Sequence, residues 1–292
     1  MDTIALLQYP GSKARLAQDI IGLMPPHKTY VEAFGGSAAV LLSKKPAPIE
    51  VYNDINGDVV NLFRVVRDAI QRQSLRELLA WTPYSREELA DAARLLATRK
   101  KLEPVEHARL TFVLYNQSVS GMAAADKPPW SYTVDSTSQA DEFRRRMAAL
   151  DVIGERLSSV QIESRHFLEV FSLYDSEDTL WYLDPPYLPD TRTLNLYEFE
   201  MYPHEHKEMV QRMLEMKGQF ILSGYDTPIY KPLEEAGWKR VEIDALATMS
   251  IAKSDLTRTE VLWTNIGTAR LAPRRSKRAR QAEDPNLQPS LL

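Results

Sequence analysis

The chain has 292 residues, 44% hydrophobic and 26% charged, with a formal net charge of −4. That is an ordinary globular composition, long enough for one large or two modest domains with a core that needs no staples. Cysteine is absent and histidine occurs five times, which excludes a disulfide scaffold, thiolate metal sites, iron–sulfur clusters and a cysteine nucleophile, and leaves no metal assigned.

The start carries an acidic second residue and no basic n-region, and no apolar run approaches the ~18 residues of a membrane span, so the expectation is a soluble cytoplasmic protein that makes no membrane contact. Pro10-Gly11 marks a turn, with Ser12 as a candidate N-cap for a helix that Pro25-Pro26 stops. A short β-prone run at 29–31 leads into Glu32-Ala33-Phe34-Gly35-Gly36-Ser37 and a helix. A second strand, 49–52, ends at Asn53-Asp54. A helix over about 56–71 follows, with Val59, Val60, Phe63, Val66 and Ile70 at helical spacing. This strand, glycine turn, helix, strand and acid is the front half of a nucleotide-binding α/β sheet. The glycines let backbone approach a ligand, and the acid about 20 positions on suits ribose hydroxyls. Taken alone, the glycines also read as a helix-entry turn and Asp54 as a cap.

From about 74 to 157 the chain reads as helical and charged, broken by a polar, aromatic-tipped loop (120–138) and closed by a helix over about 140–156. Strand and helix alternation then resumes: strands at 160–164, 179–183 and 219–225, helices at 203–216 and near 227–237, and two final β-prone runs that fit an antiparallel edge pair. His204 and His206, at i and i+2, share no helix face and read as a solvated helix start. The last 25 residues hold six basic and two acidic side chains, which leaves −8 on the rest. Such a tail has a disordered, basic composition. An acidic body does not advertise a polyanionic partner, but a local basic cleft outweighs the total.

The strongest chemical signal is Asp184-Pro185-Pro186-Tyr187 at the carboxyl end of a buried strand. The prolines fix the backbone, and the Pro185 carbonyl faces a residue that has no N–H. A carboxylate and a rigid carbonyl side by side suit an NH₂ group, and Tyr187 offers a flat ring to a base. Two acceptors on an exocyclic amine localise its lone pair, so that it can attack an electrophilic methyl group held in near-attack geometry. Asp184 also favours the positive charge that develops on nitrogen. The absence of cysteine excludes the covalent route to cytosine C5.

Seven segments then occur in a recognisable order: YPGSK (9–13), VEAFGGSAAVLL (31–42), VYNDINGDVVNLFRVVRD (51–68), RHFLEV (165–170), WYLDPPYLPDTR (181–192), LSGYDTPIY (222–230) and EVLWTN (260–265). With them the chain resembles the Dam-like D12 class of DNA N6-adenine methyltransferases, particularly prophage-encoded members. The resemblance implies an α/β, Rossmann-like methyltransferase sheet (about 1–70 and 158–267), a helical DNA-recognition insertion (about 71–157) and a basic tail (268–292). It implies S-adenosyl-L-methionine as cofactor, S-adenosyl-L-homocysteine as product, and double-stranded DNA as substrate, with the target adenine flipped out. It implies a monomer or weak dimer. By position, Tyr9 and Lys13 line the methionine end of the cofactor, Glu32, Ala33, Phe34, Gly35, Gly36 and Ser37 form the loop beneath it, Asp54 takes the ribose, and Phe167 lies beside the adenine. His166 stands where this class often has Asp. Asp184 to Tyr187 are the catalytic motif, with Asp184 also beside the cofactor. GATC-reading members carry a hairpin arginine, but none occurs here between Arg109 and Arg144, so GATC does not carry over. Lys127, Trp130 and Tyr132 are the DNA-contact candidates, and Trp130 to Tyr132 also reads as a structural plug. N4-cytosine methylation, methylation of RNA or a protein glutamine, and a silent DNA-binding remnant are the rival readings.

Overall fold

A computed structural model describes residues 5–123, 127–134, 138–188, 199–245 and 258–267. The basic tail and residues 189–192 of the DPPY segment lie outside that set. Among the described residues seven strands form one sheet in the order β3-β2-β1-β4-β5-β7-β6. β1 (Thr29–Glu32), β2 (Ile49–Asn53), β3 (Val160–Glu163), β4 (Thr179–Leu183) and β5 (Gln219–Gly224) pair in parallel, and β7 (Arg258–Thr264) runs antiparallel between β5 and β6 (Lys239–Ala245). The chain steps outward from β1 to β2 and β3, then crosses back to β4 and β5. The strand order therefore reverses between β1 and β4, and the crevice outside their carboxyl ends is where such sheets bind ligands.

β4, central in the sheet, reads as a nearly continuous apolar run because both of its faces are covered. In TLWYL every residue is buried. Leu180 and Tyr182 enter one core with Tyr30 and Tyr52, while Trp181 and Leu183 enter the other with Val31 and Val51. The first core is shared with α3 (Gly57–Arg67), α4 (Ala69–Trp81), α5 (Arg86–Ala97), α6 (Pro104–Gln117), α7 (Gln139–Ala148) and α8 (Leu150–Leu157), through Phe63, Leu75, Leu89, Phe112, Phe143 and Ile153. The second core is closed by α9 (Phe167–Tyr174), α10 (Pro203–Glu215) and α11 (Lys231–Glu235). The two short helices near the amino terminus are α1 (Ala17–Gly22) and α2 (Ala39–Ser43).

A buried ion cluster fixes the helical layer to the sheet. Glu50 of β2 accepts from Lys44 Nζ at 2.6 Å and from both ends of the Arg156 guanidinium, at 2.5 and 2.9 Å. Removing one member of such a group leaves an uncompensated buried charge.

Local chemistry moves several boundaries. The helix expected over 56–71 is two helices. Asp68 adopts an extended ψ of 121°, and its side chain accepts the amides of Ile70 and Gln71 at 3.0 and 2.9 Å, starting α4. The helix expected over 140–156 is likewise divided at Ala149. Ser12 is not a cap: α1 begins at Ala17, and the Ser12 hydroxyl pairs with that of Ser37 at 2.9 Å. Helix α9, after β3, was not expected from the sequence.

Candidate active site

Three loops meet at the carboxyl ends of β1, β2 and β3, and one side chain ties them. Asn53, 1% exposed, donates from Nδ2 to the carbonyls of Ala33 and Arg165 at 2.8 and 3.0 Å, and accepts the Arg165 amide at 2.9 Å. Asp54 turns onto the glycine loop: its Oδ2 accepts the Gly36 amide and its Oδ1 the Asn56 amide, each at 2.8 Å. The loop has no room for side chains. A Cβ on Gly35 would stand 2.2 Å from the Tyr52 ring, whose hydroxyl donates to the Gly36 carbonyl at 2.8 Å. Gly36 itself has φ +47°, with Tyr9 packed against it.

These loops enclose a cavity of about 250 Å³. Every residue that the resemblance places at the cofactor, from Tyr9 to Asp184, lines it. One part of the wall is aromatic, with the rings of Phe34 and Phe167 5.4 Å apart and His166 4.4 Å from Phe167. Tyr9 stacks on Tyr115 at 5.3 Å. Another part of the wall carries carboxylates, with Lys13 among them. Glu32 is 2% exposed and accepts the Tyr30 hydroxyl at 2.7 Å. Burial pushes its carboxyl up to about 7. Burial also raises Asp54, against the opposing pull of the Asn56 and Gly36 amides. Acidic oxygens beside aromatic rings, around a backbone cradle kept bare of Cβ atoms, match a cationic nucleoside-type ligand.

Asp184 follows β4 directly, so its carboxylate stands at the tip next to that of Glu32, in the crevice of the strand-order reversal. Lys13 Nζ lies 2.8 and 2.9 Å from its two oxygens, and the Tyr187 hydroxyl donates to Oδ1 at 3.1 Å. Burial raises the Asp184 carboxyl, and the Lys13 ammonium and Tyr187 hydroxyl oppose the rise. Asp184 and Pro186 line the cavity, whereas Pro185 is buried and Tyr187 lies just outside, its ring edge-on to Tyr225 at 4.6 Å with Lys13 Nζ 4.8 Å from its centroid. Among the described residues nothing hydrogen-bonds to the Pro185 carbonyl.

Two supports of this motif were not read from the sequence. Glu260 of β7, 4% exposed, accepts the Tyr187 hydroxyl and lies 3.8 Å from Lys13 Nζ. His206, expected in solvent, is 0% exposed. Its Nε2 lies 3.1 Å from the Pro186 carbonyl and its Nδ1 2.9 Å from the Tyr230 hydroxyl, so the ring donates to the first and accepts from the second. The signal was present: His206 shares an i, i+3, i+4, i+7 stripe with Met209, Val210 and Met213.

The DNA-contact candidates lie on the helical layer. Lys127 is exposed, Tyr132 is 65% exposed and stacks on Trp130 at 5.9 Å, and Trp130 is half-buried against Tyr84. Above both rings lies Arg86, absent from the sequence reading, at 4.4 Å from Trp130 and 5.4 Å from Tyr132. Fully buried Gln117 assembles this platform: its side chain bonds Ser85 and Pro83 at 3.0 and 2.9 Å, and its carbonyl accepts the Ser131 amide at 2.8 Å.

The chain is similar in sequence to known methyltransferases. The chain is 25% identical over 284 residues to the type II methyltransferase M1.LlaDCHI of Lactococcus lactis subsp. cremoris, covering 89% of this chain and 94% of the relative. It is 23% identical over 259 residues to the type II methyltransferase M.MjaIII of Methanocaldococcus jannaschii, covering 80% of this chain and 89% of the relative. The sequence model of one family spans residues 9–249, from the first cavity-lining loop to beyond the Asp184 motif. On that match the chain belongs to the D12 class of N6-adenine-specific DNA methyltransferases.

Proposed function

We propose that the cavity binds S-adenosyl-L-methionine and that Asp184, with the Pro185 carbonyl, holds the N6 amino group of an adenine turned out of duplex DNA. The observation that carries this reading is the placement of Asp184 and Glu32 on adjacent strand tips around one cavity. When bound, the cofactor supplies a methyl group on a sulfonium, an electrophile that needs no covalent enzyme intermediate. Glu32 then pairs with its amino group, Asp54 uses its remaining lone pairs on the ribose hydroxyls, and Phe167, packed against Phe34, lies beside the adenine ring.

The reactive amine is a poor nucleophile because its lone pair is delocalised into the base. Asp184 and the Pro185 carbonyl draw on its two hydrogens, localise that pair, and counter the charge that builds on nitrogen. His206 fixes the next carbonyl along, at Pro186, and so holds the acceptor geometry. The helical segment 71–157 contacts DNA, through Lys127 and the Arg86, Trp130 and Tyr132 platform. The tail sequence from 268 to 292 adds salt-sensitive attraction to phosphates.

The test is to express the protein in cells lacking adenine methylation and to sequence their DNA for modified bases. N6-methyladenine at one recurrent sequence is the expected result. N4-methylcytosine alone, or no modification from folded protein, rejects the reading.

A further inference from the structure

The acceptor assigned above to the substrate amine is occupied by the protein itself. Both oxygens of Asp184 lie within 2.9 Å of Lys13 Nζ, and Oδ1 lies 3.1 Å from the Tyr187 hydroxyl, whose one hydrogen it shares with Glu260. These contacts engage most of the lone pairs of the carboxylate, so an incoming NH₂ group competes with those donors for Asp184. They cannot be released to water: the side chains of Lys13 and Asp184 are 9% and 18% exposed, and a buried ammonium stripped of its counter-charge is strongly disfavoured.

One residue is placed to receive both donors. Glu260 enters from β7, on the far side of β5 from the Asp184 strand, and its side chain is 6% exposed. The Tyr187 hydroxyl already donates to it. Lys13 Nζ is 3.8 Å from its Oε1, so a shift of about 1 Å makes a close charge-assisted contact. Two carboxylates share one ammonium and one hydroxyl, and moving both donors to Glu260 keeps the cation paired while it empties Asp184.

Resting on the function proposed above, we propose that Glu260 is a positioning residue that takes the Lys13 ammonium and the Tyr187 hydroxyl off Asp184 when a nucleobase amino group arrives. Lys13 stands in for the substrate amine in the resting enzyme, and Glu260 makes the exchange reversible. No bond is formed or broken in this step.

The test is equilibrium binding of the full chain, with S-adenosyl-L-homocysteine present, to two duplexes that contain its mapped target site. One carries adenine at the target position. The other carries purine, which lacks the 6-amino group and has no need to displace Lys13. Glu260→Gln keeps size and hydrogen-bond acceptance but removes the charge. It is expected to weaken the adenine duplex about tenfold relative to the purine duplex, the ratio one charge-assisted hydrogen bond supplies. Cofactor-product affinity should stay within about twofold. In a Lys13→Met background, where no cation needs a second home, Glu260→Gln should no longer separate the duplexes.

A purely structural role would weaken both duplexes equally, and that result overturns the proposal, as does no effect on either. If Glu260→Gln does not fold, Glu260→Asp, which withdraws the carboxylate from Lys13, must show the same selective loss, and an equal loss on both duplexes again overturns it. Wild-type protein that fails to methylate adenine would instead refute the underlying function. Normal methylation without selective loss in the variant refutes this inference alone.

Discussion

Glu32 couples the cavity to pH. It is 2% exposed, and burial carries its carboxyl from an ordinary 4.5 to about 7. Below pH 4.5 both folded and unfolded chains hold this proton. Between 4.5 and about 7 the unfolded chain loses it while the folded chain keeps it, so stability falls by about 1.4 kcal/mol per pH unit, about 3 kcal/mol in all. Glu32→Gln removes the charge and preserves an acceptor for Tyr30. Urea unfolding without cofactor should therefore show the variant gaining up to about 3 kcal/mol on wild type between pH 5 and pH 8. Calorimetric titration should show the converse for S-adenosyl-L-methionine. A cation beside Glu32 favours the ionised carboxyl, so wild-type affinity falls as pH drops below about 7, by up to about tenfold per unit, and the variant loses that component of the slope. A stability difference that is the same at both pH values, with parallel affinity slopes, would refute the assignment of a protonated Glu32 to the resting cavity.

Three further outcomes follow from the geometry. Asn53→Ala breaks three hydrogen bonds of a buried side chain and should cost about 2–4 kcal/mol in urea unfolding and lower cofactor affinity; an unchanged midpoint contradicts its role as the tie between loops. Gly35→Ala drives a Cβ to 2.2 Å from the Tyr52 ring and should lose about 1–3 kcal/mol together with cofactor binding, with stability partly restored by Tyr52→Leu; a thermal melt like wild type would contradict this. Arg86→Ala should leave cofactor binding intact, weaken DNA binding and lower the salt slope of log Kd by about 1 if the guanidinium meets a phosphate; unaltered DNA affinity across salt removes Arg86 from the interface.

The parts of this molecule that are legible in the sequence are those set by local pattern. TLWYL followed by Asp-Pro-Pro declares a strand buried on both faces and a rigid tip, because apolar continuity and proline geometry act within a few residues. The glycine turn and Asp54 follow in the same way. What was not legible depends on partners distant in the chain. Asn53 bonds to residues 20 and 112 positions away, and the Tyr187 hydroxyl reaches across 73 positions to Glu260. Arg86 finds its rings only after Gln117 has drawn three segments together. The break at Asp68 was hidden for another reason: the apolar period runs through it, and only the capping geometry of its carboxylate shows that one helix has ended and another begun.

The most direct measurement is labelled methyl transfer to unmethylated DNA by wild type and Asp184→Ala, with cofactor affinity measured on the same preparations. The account predicts N6-methyladenine from wild type, and from the variant a loss of transfer of about 10³-fold or more with cofactor affinity within a few-fold of wild type. Comparable transfer by the two proteins would contradict it.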